Sequence, residues 1–399
     1  MKFVMAAYGS RGDVEPCAAV AVELLRRGHD IRMAVPPEML GFIESAGLGA
    51  IACGPDSRKQ MSPTSDLTGN VMPNMQNPLS AMLGVAEHFS QVWAERSTTL
   101  TALADAADLI LAGIAEQGLA ANVAEYYGIP LAALHFFPPE HSRPKGWIGR
   151  VTKLAEDAQR RALGLPEAAG LSPPSLEIQA YDELCFPGVA AKWGEQVARR
   201  PFVGALTLQL PTGADEEASS WIVAGPPPIY FGFGSNVHLA HPAHTVAMIS
   251  AACTQLGERA LICSGATDLS DIAHDDHVKI VGAVNHSAIF PACRAVVHHG
   301  GAGTTAASLR AGIPTLILFS VLLEDQPLWA AVVQQLGVGL GRNFLGSSLK
   351  TLVADLGSVL APHYLTRARE VAAHMTKPGE SLASAVELLE DTVRHAHFG

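Results

Sequence analysis

The sequence predicts an α/β protein of two doubly wound domains, each a parallel sheet covered by helices on both faces. Three observations predict it. The 399 residues exceed one ordinary core and fit two domains of roughly 150 to 200 residues. Strand and helix signals alternate in both halves, which specifies parallel sheets whose ligands collect at the carboxyl ends of the strands. Between the halves, from Gly204 to Pro228, the pattern dissolves into an acidic Gly- and Pro-rich run, LPTGADEEASSWIVAGPPP, with the character of a linker.

The chain opens with a buried strand, Lys2 to Ala7, a glycine turn at Gly9 to Gly12, and a helix from Val14 to Arg27 closed by Gly28. His29 to Val35 resumes as a strand. Leu109 to Ala112 and Leu131 to His135 follow as strands around a helix at Gly118 to Tyr127, whereas Pro55 to Pro78 has no clear period. Past the linker, strands are expected at Ile229 to Gly232, Arg259 to Ser264, Val278 to Val281, Ala295 to His298 and Thr315 to Phe319. Helices are expected at Ala247 to Leu256 and Thr304 to Ala311. The domains are therefore drawn as 1–205, a linker at 206–228, and 229–380. Residues 381–399 hold a last helix, Leu382 to His395, able to cross back to the first domain.

Hydrophobic residues make up 48% and charged residues 16%, and the net charge of -11 opposes binding to a polyanion such as nucleic acid. Cys17, Cys53, Cys185, Cys253, Cys263 and Cys293 are scattered without metal-ligand spacing, as buried thiols of a reducing cytoplasm would be. The apolar run Phe3 to Ala7 meets Gly9, Ser10, Arg11 and Asp13 before a signal-peptide core forms. Ile313 to Leu323 stops at Glu324 and Asp325, short of the roughly 20 residues that span a bilayer. These features place the protein in the cytoplasm. The mean hydropathy of +0.21 fits an apolar substrate groove or a large core equally.

Four loops carry chemistry. In AVVHHGGAGTTAASLRAG, Ala295 to Gly312, a strand runs into two histidines, three glycines and a helix opened by Thr304 and Thr305. A helix N-terminus of this kind offers backbone N–H groups and a positive dipole end to a diphosphate, the other reading being a simple capped helix after a glycine turn. Gly232 to Asn236 offers Ser235 as a second jaw. Neither loop has the full dinucleotide fingerprint, and a P-loop is absent, so hydride transfer and ATP hydrolysis are weak readings. Asp325 and Gln326 in LEDQP, after a buried strand, suit sugar hydroxyls or an ordinary cap equally. Asp13 reads first as an N-cap and second as a general base.

These segments resemble the family-one glycosyltransferases of the GT-B fold, in the bacterial and fungal branch that acts on sterols, glycolipids, polyketides and glycopeptides. The resemblance rests on YGSRGDVEP at Tyr8 to Pro16, LLRRGHDIRMAVP at Leu24 to Pro36, FGS before Asn236, VNHSAIFPACRAVVHHGGAGTT ending at Thr305, and EDQP at Glu324 to Pro327. It implies two facing Rossmann-like domains with a cleft between them, the nucleotide-sugar held by the second. It also implies Asp13 as the base, where plant and animal relatives carry a histidine, with Arg11 and Gly12 beside it. Ser10, Ser235, His299, Gly301, Gly303 and Thr304 would hold the diphosphate with His298 in support, Ala283 and Asn285 the base and ribose, and Asp325 and Gln326 the sugar.

The expected reaction is inverting transfer of a hexose or deoxyhexose from a UDP- or dTDP-sugar to a hydroxyl of a lipophilic small molecule, glycolipid or peptide natural product. No metal or other cofactor is expected, the nucleotide-sugar being a co-substrate. A lipid acceptor would add peripheral contact with a membrane. The rivals are a nucleotide-sugar epimerase or hydrolase on the same fold, and a non-catalytic nucleotide-sugar-binding activator.

Overall fold

A computed structural model of the chain describes residues 1–58, 78–141, 146–167, 172–234, 241–265, 267–319 and 325–398. It divides into two compact units. The first comprises Met1–Glu183, Gly188–Leu208 and Pro378–Gly399, and the second Leu184–Pro187 and Gln209–Lys377.

The N-terminal unit begins β1 (Lys2–Ala6), α1 (Arg11–Arg26), β2 (Asp30–Val35), β3 (Ile51–Ala52) and α2 (Pro78–Leu103). It continues β4 (Leu109–Ala112), α3 (Gln117–Tyr127), β5 (Leu131–His135) and β6 (Leu176–Gln179). Among the described residues these strands form a parallel sheet in the order β3-β2-β1-β4-β5-β6. Alternation along β1 shows why the chain folds so. Phe3 and Met5 face one core with α1, while Val4 and Ala6 face another with Trp93 and Leu100 of α2 and Leu119 and Val123 of α3. A strand buried on both faces reads as a continuous apolar run, which is how β1 and β4 read.

The C-terminal unit repeats the plan. Its elements include α4 (Asp215–Val223), β7 (Ile229–Gly232), α5 (Pro242–Leu256), β8 (Ala260–Cys263), β9 (Val278–Val281) and β10 (Ala295–His298). They continue α6 (Ala302–Ala311), β11 (Thr315–Phe319), α7 (Asp325–Gln335), β12 (Gly339–Asn343) and α8 (Leu349–Val359). The parallel order is β12-β11-β10-β7-β8-β9. Ile229 and Phe231 pack on the α5 and α8 side, Tyr230 on the α4 side.

The stretch 206–228 is more than a linker, because it contains α4. Ala218 and Ile222, one turn apart, are buried in the second unit, a stripe too short to stand out from the acidic residues around it. The final helix, α9 (Pro378–Phe398), belongs to the first unit. Ala385, Val386, Leu389 and Val393 complete the core under α1, and Glu390 takes a 2.8 Å bond from the His29 ring beside the Arg27 guanidinium. No helix among the described residues is long and apolar enough to cross a membrane.

In both sheets the direction in which successive strands are added reverses beside the first strand, between β1 and β4 and between β7 and β10. A crevice opens at the carboxyl ends at such a point. Leu389→Ala should lower the stability of the N-terminal unit by about 2 to 5 kcal/mol, because it empties a fully buried site. Denaturant unfolding followed by fluorescence would measure it.

Candidate active site

The loop after β1 carries the predicted base. Asp13 is the third residue of α1, and Ser10 is the N-cap, which corrects the reading of Asp13 as the cap. The Asp13 carboxylate reaches back, its Oδ2 accepting from the Ser10 N–H at 2.7 Å and the Ser10 hydroxyl at 2.9 Å. This is the reciprocal arrangement of a capping box. Among the described residues no hydrogen bond reaches Oδ1. The turn demands glycine at position 9, where φ is +133° and a Cβ would lie 2.4 Å from Asp13 Oδ2. Burial pushes the Asp13 carboxyl above its ordinary value, and the bonds from Ser10 pull it partly back.

Ser10, expected on a diphosphate, is thus engaged by Asp13, because a capping box turns the N-cap side chain toward the third helical residue. Arg11 is turned along the helix, donating to Glu15 at 2.8 Å with its guanidinium 4.7 Å from the Phe42 ring centre. Gly12 is exposed beside it.

Behind this loop lies a buried polar group that sequence spacing did not reveal. Arg96 of α2 pairs with Glu116, donates to the Ala115 carbonyl at 3.2 Å and sits 4.1 Å from the Tyr8 ring centre. The Tyr8 hydroxyl donates to the Pro55 carbonyl at 2.7 Å, and burial pushes its phenol up with Arg96 opposing. Arg96 and Glu116 are 20 residues apart, on different elements, so no helical or strand period links them. The one available signal was a charged residue, Glu116, four residues past the end of the apolar strand β4.

In the second unit the strand ends lie level: Gly232 of β7 pairs with His298 of β10 and Cys263 of β8, and His298 with Ile317 of β11. His298 is 1% exposed. Its Nδ1 accepts from the Gly300 N–H at 3.0 Å, so the neutral ring carries its proton on Nε2. That nitrogen is buried and has no partner among the described residues. His299 is half-buried and lies against Gly234, where φ is +82° and a Cβ would come within 2.7 Å of the ring. Burial drives His298 well below its usual range, the neighbouring His299 and His286 adding to the effect. It takes His299 down to about 4, with the Gly232 carbonyl opposing. Both rings are neutral donors at neutral pH.

Helix α6 starts at Ala302 with Gly301 as N-cap, two residues before the expected Thr304. Thr305 is spent inside the helix, its hydroxyl donating to the Gly301 carbonyl at 2.9 Å. Thr304 is half-exposed and Gly303 exposed in the first turn, where backbone N–H groups point out of the helix end. Asp325 and Gln326 open α7. Asp325 is half-buried, while Gln326 is 3% exposed with its backbone against Gly300. Ser235 and Glu324 lie outside the described residues.

Asn285, expected against the base and ribose, has intramolecular partners. Its N–H donates to Asp215 at 2.7 Å, its carbonyl accepts from Ala288 and Ile289, and its side chain accepts from Ser287. Its backbone groups and side-chain oxygen are thus engaged within the unit, while its side-chain NH2 makes no bond among the described residues. Ala283 is exposed nearby.

Residues 3–140 match the glycosyltransferase family 28 N-terminal domain, and residues 261–388 match the erythromycin biosynthesis protein CIII-like C-terminal domain. An uncharacterized glycosyltransferase of Mycobacterium leprae is 54% identical over 98% of this chain and 97% of its own. The vancomycin aglycone glucosyltransferase of Amycolatopsis orientalis is 31% identical over 98% of both. The crystal structure of the glycosyltransferase SsfS6 of Streptomyces sp. SF2575, complexed with thymidine diphosphate, superposes with a TM-score of 0.68. It is 21% identical and covers 98% of this chain and 99% of that one.

On the geometry alone, Gly9→Ala should destabilise the N-terminal unit by about 1 to 3 kcal/mol, since alanine is strained at this φ and its methyl displaces the Asp13 carboxylate. Calorimetric unfolding of the variant would show the loss.

Proposed function

The chain belongs to the glycosyltransferases of the GT-B fold, and from that premise we propose an inverting transfer in which Asp13 is the general base. The donor is a UDP- or dTDP-linked hexose or deoxyhexose. The acceptor is a hydroxyl of a lipophilic small molecule, glycolipid or peptide natural product, in keeping with a full-length relative named for the vancomycin aglycone. The observation that carries this reading is the Asp13 carboxylate itself. It is held through one oxygen by Ser10, with no bond to the other among the described residues, in the first turn of α1.

In this reaction the acceptor hydroxyl gives its proton to Asp13 as its oxygen attacks the anomeric carbon. The bond from that carbon to the β-phosphate oxygen breaks in the same step, and the nucleoside diphosphate leaves with the electron pair. Attack opposite the leaving group turns an α-linked donor into a β-glycoside. Thr304, Gly301 and Gly303 at the N-terminus of α6, with the His298 and His299 rings, hold the diphosphate. Neutral rings bring no charge, and the N–H without a partner among the described residues is that of His298 Nε2, so the positive potential comes from the helix end. Each hydrogen bond to the anion is worth about 1.5 to 3 kcal/mol. Asp325 and Gln326 meet the sugar, Ser235 lends a further hydroxyl, and the exposed backbone at Ala283 lies on the side of the base and ribose.

Asp13→Asn should lower kcat by roughly 10² to 10⁴ while leaving affinity for UDP or dTDP unchanged. Calorimetric titration with each diphosphate, together with transfer assays from UDP-glucose and dTDP-glucose, reads both quantities. Thr304→Ala combined with His299→Ala should abolish diphosphate binding; binding that persists in that double variant would remove the donor assignment.

The base acts only when ionised, so the rate rises with pH through the Asp13 midpoint and then levels. Because burial has raised that midpoint, activity should fall off at a higher pH on acidification than for an exposed aspartate. A kcat/KM profile against pH tests this, and a flat profile across the acid range contradicts it.

A further inference from the structure

We propose that Ser57, held in place by Glu38, is a positioning residue for Asp13 and acts through the peptide group between Gly9 and Ser10. The Gly9 carbonyl and the Ser10 N–H are the two ends of one planar unit. The Ser57 hydroxyl donates to the Gly9 oxygen at 3.1 Å, and the Ser10 N–H donates to Asp13 Oδ2 at 2.7 Å. Pinning one end therefore fixes the other. A donor on the carbonyl also polarises the group and makes its N–H a stronger donor.

The peptide needs such a tie. It lies before the first helical turn, and at a φ of +133° Gly9 has no side chain to restrict its rotation. Ser57 can supply the tie because it is 1% exposed and is itself anchored, its N–H donating to Glu38 Oε1 at 2.8 Å. The hydroxyl's single proton is shared between the Gly9 carbonyl and that same carboxylate oxygen, a three-centre bond that ties Gly9 to Glu38 through Ser57. Glu38 Oε2 is buried without a partner among the described residues, so Ser57 sets how that carboxylate sits. Gly9 and Ser57 are 48 residues apart in the chain, yet within the same unit.

The titratable groups around Asp13 are Cys17, one turn along α1, and Glu116 from the loop after β4. Burial, Asp13 and Glu116 all raise the Cys17 thiol, whereas the Asp13 carboxyl answers to burial, to Ser10 and to its own backbone N–H. A change in the Ser10 bond is therefore visible in the titration of Asp13 itself.

This inference rests on Asp13 as the base, and the test separates the two. Full-length protein carrying ¹³C-labelled aspartate is titrated by NMR, with Asp13→Asn assigning the signal, in wild type, Ser57→Ala and Ser57→Thr. Transfer from UDP-glucose or dTDP-glucose and binding of dTDP are measured on the same proteins. In Ser57→Ala the Asp13 midpoint is expected to move to higher pH, with the acid limb of kcat moving alongside. Turnover should fall about tenfold, while donor KM and dTDP affinity stay at wild-type values. Ser57→Thr keeps the hydroxyl and should keep the wild-type midpoint; if Ser57→Ala does not fold, this variant carries the test, and a shifted midpoint in it overturns the proposal. An unmoved midpoint in folded Ser57→Ala overturns it, as does a parallel loss of dTDP affinity. Wild-type turnover in Asp13→Asn would instead remove the base reading, whatever Ser57 does.

Discussion

A parallel strand can reach its neighbour only by crossing over a face of the sheet, usually through a helix. Strand ends then become the starts of turns, most of them leading into helices, and the turns gather at one edge. In each unit of this protein that constraint determines where chemistry can occur. The first strand has neighbours added on one side and then the other, β2 before β4 and β8 before β10. The turns that diverge there leave backbone donors and helix N-termini exposed. Asp13 and the His298 to Thr304 loop both stand at such a divergence, each in its own sheet.

The polar groups at these two places are tuned in opposite senses by the same cause. Burial disfavours charge, so it raises the Asp13 carboxyl and lowers both histidines. A raised carboxyl is a better proton acceptor in the range where enzymes work. Lowered histidines remain neutral and present N–H groups, so an anion there is met by directional donors and a helix dipole.

Support for the Asp13 turn extends well beyond its own helix. Arg96, Glu116, Tyr8, Glu38 and Ser57 come from separate stretches of the chain and close around the underside of the Tyr8 to Ser10 turn. Buried charges of this kind are tolerated because they are paired and hydrogen-bonded. Breaking Arg96 from Glu116 would leave an uncompensated charge beside the loop, so the pair restrains the turn as well as the core.

The sequence by itself determined the two sheets, since strands such as Leu109–Ala112, Leu131–His135 and Ile229–Gly232 are apolar runs bounded by turns, and burial on both faces leaves no other reading. It also determined the histidine–glycine loop and the motif around Asp13, because their residues are contiguous. Tertiary structure decided what each of those residues is engaged with. It made Ser10 rather than Asp13 the cap, consumed Asn285 in a turn with Asp215, and drew a helix out of the apparent linker by burying Ala218 and Ile222. It also brought Ser57 to Gly9. Periodicity reports which face of an element is buried, but contacts between residues 20 or 48 apart depend on how separate elements pack, and no local pattern encodes that.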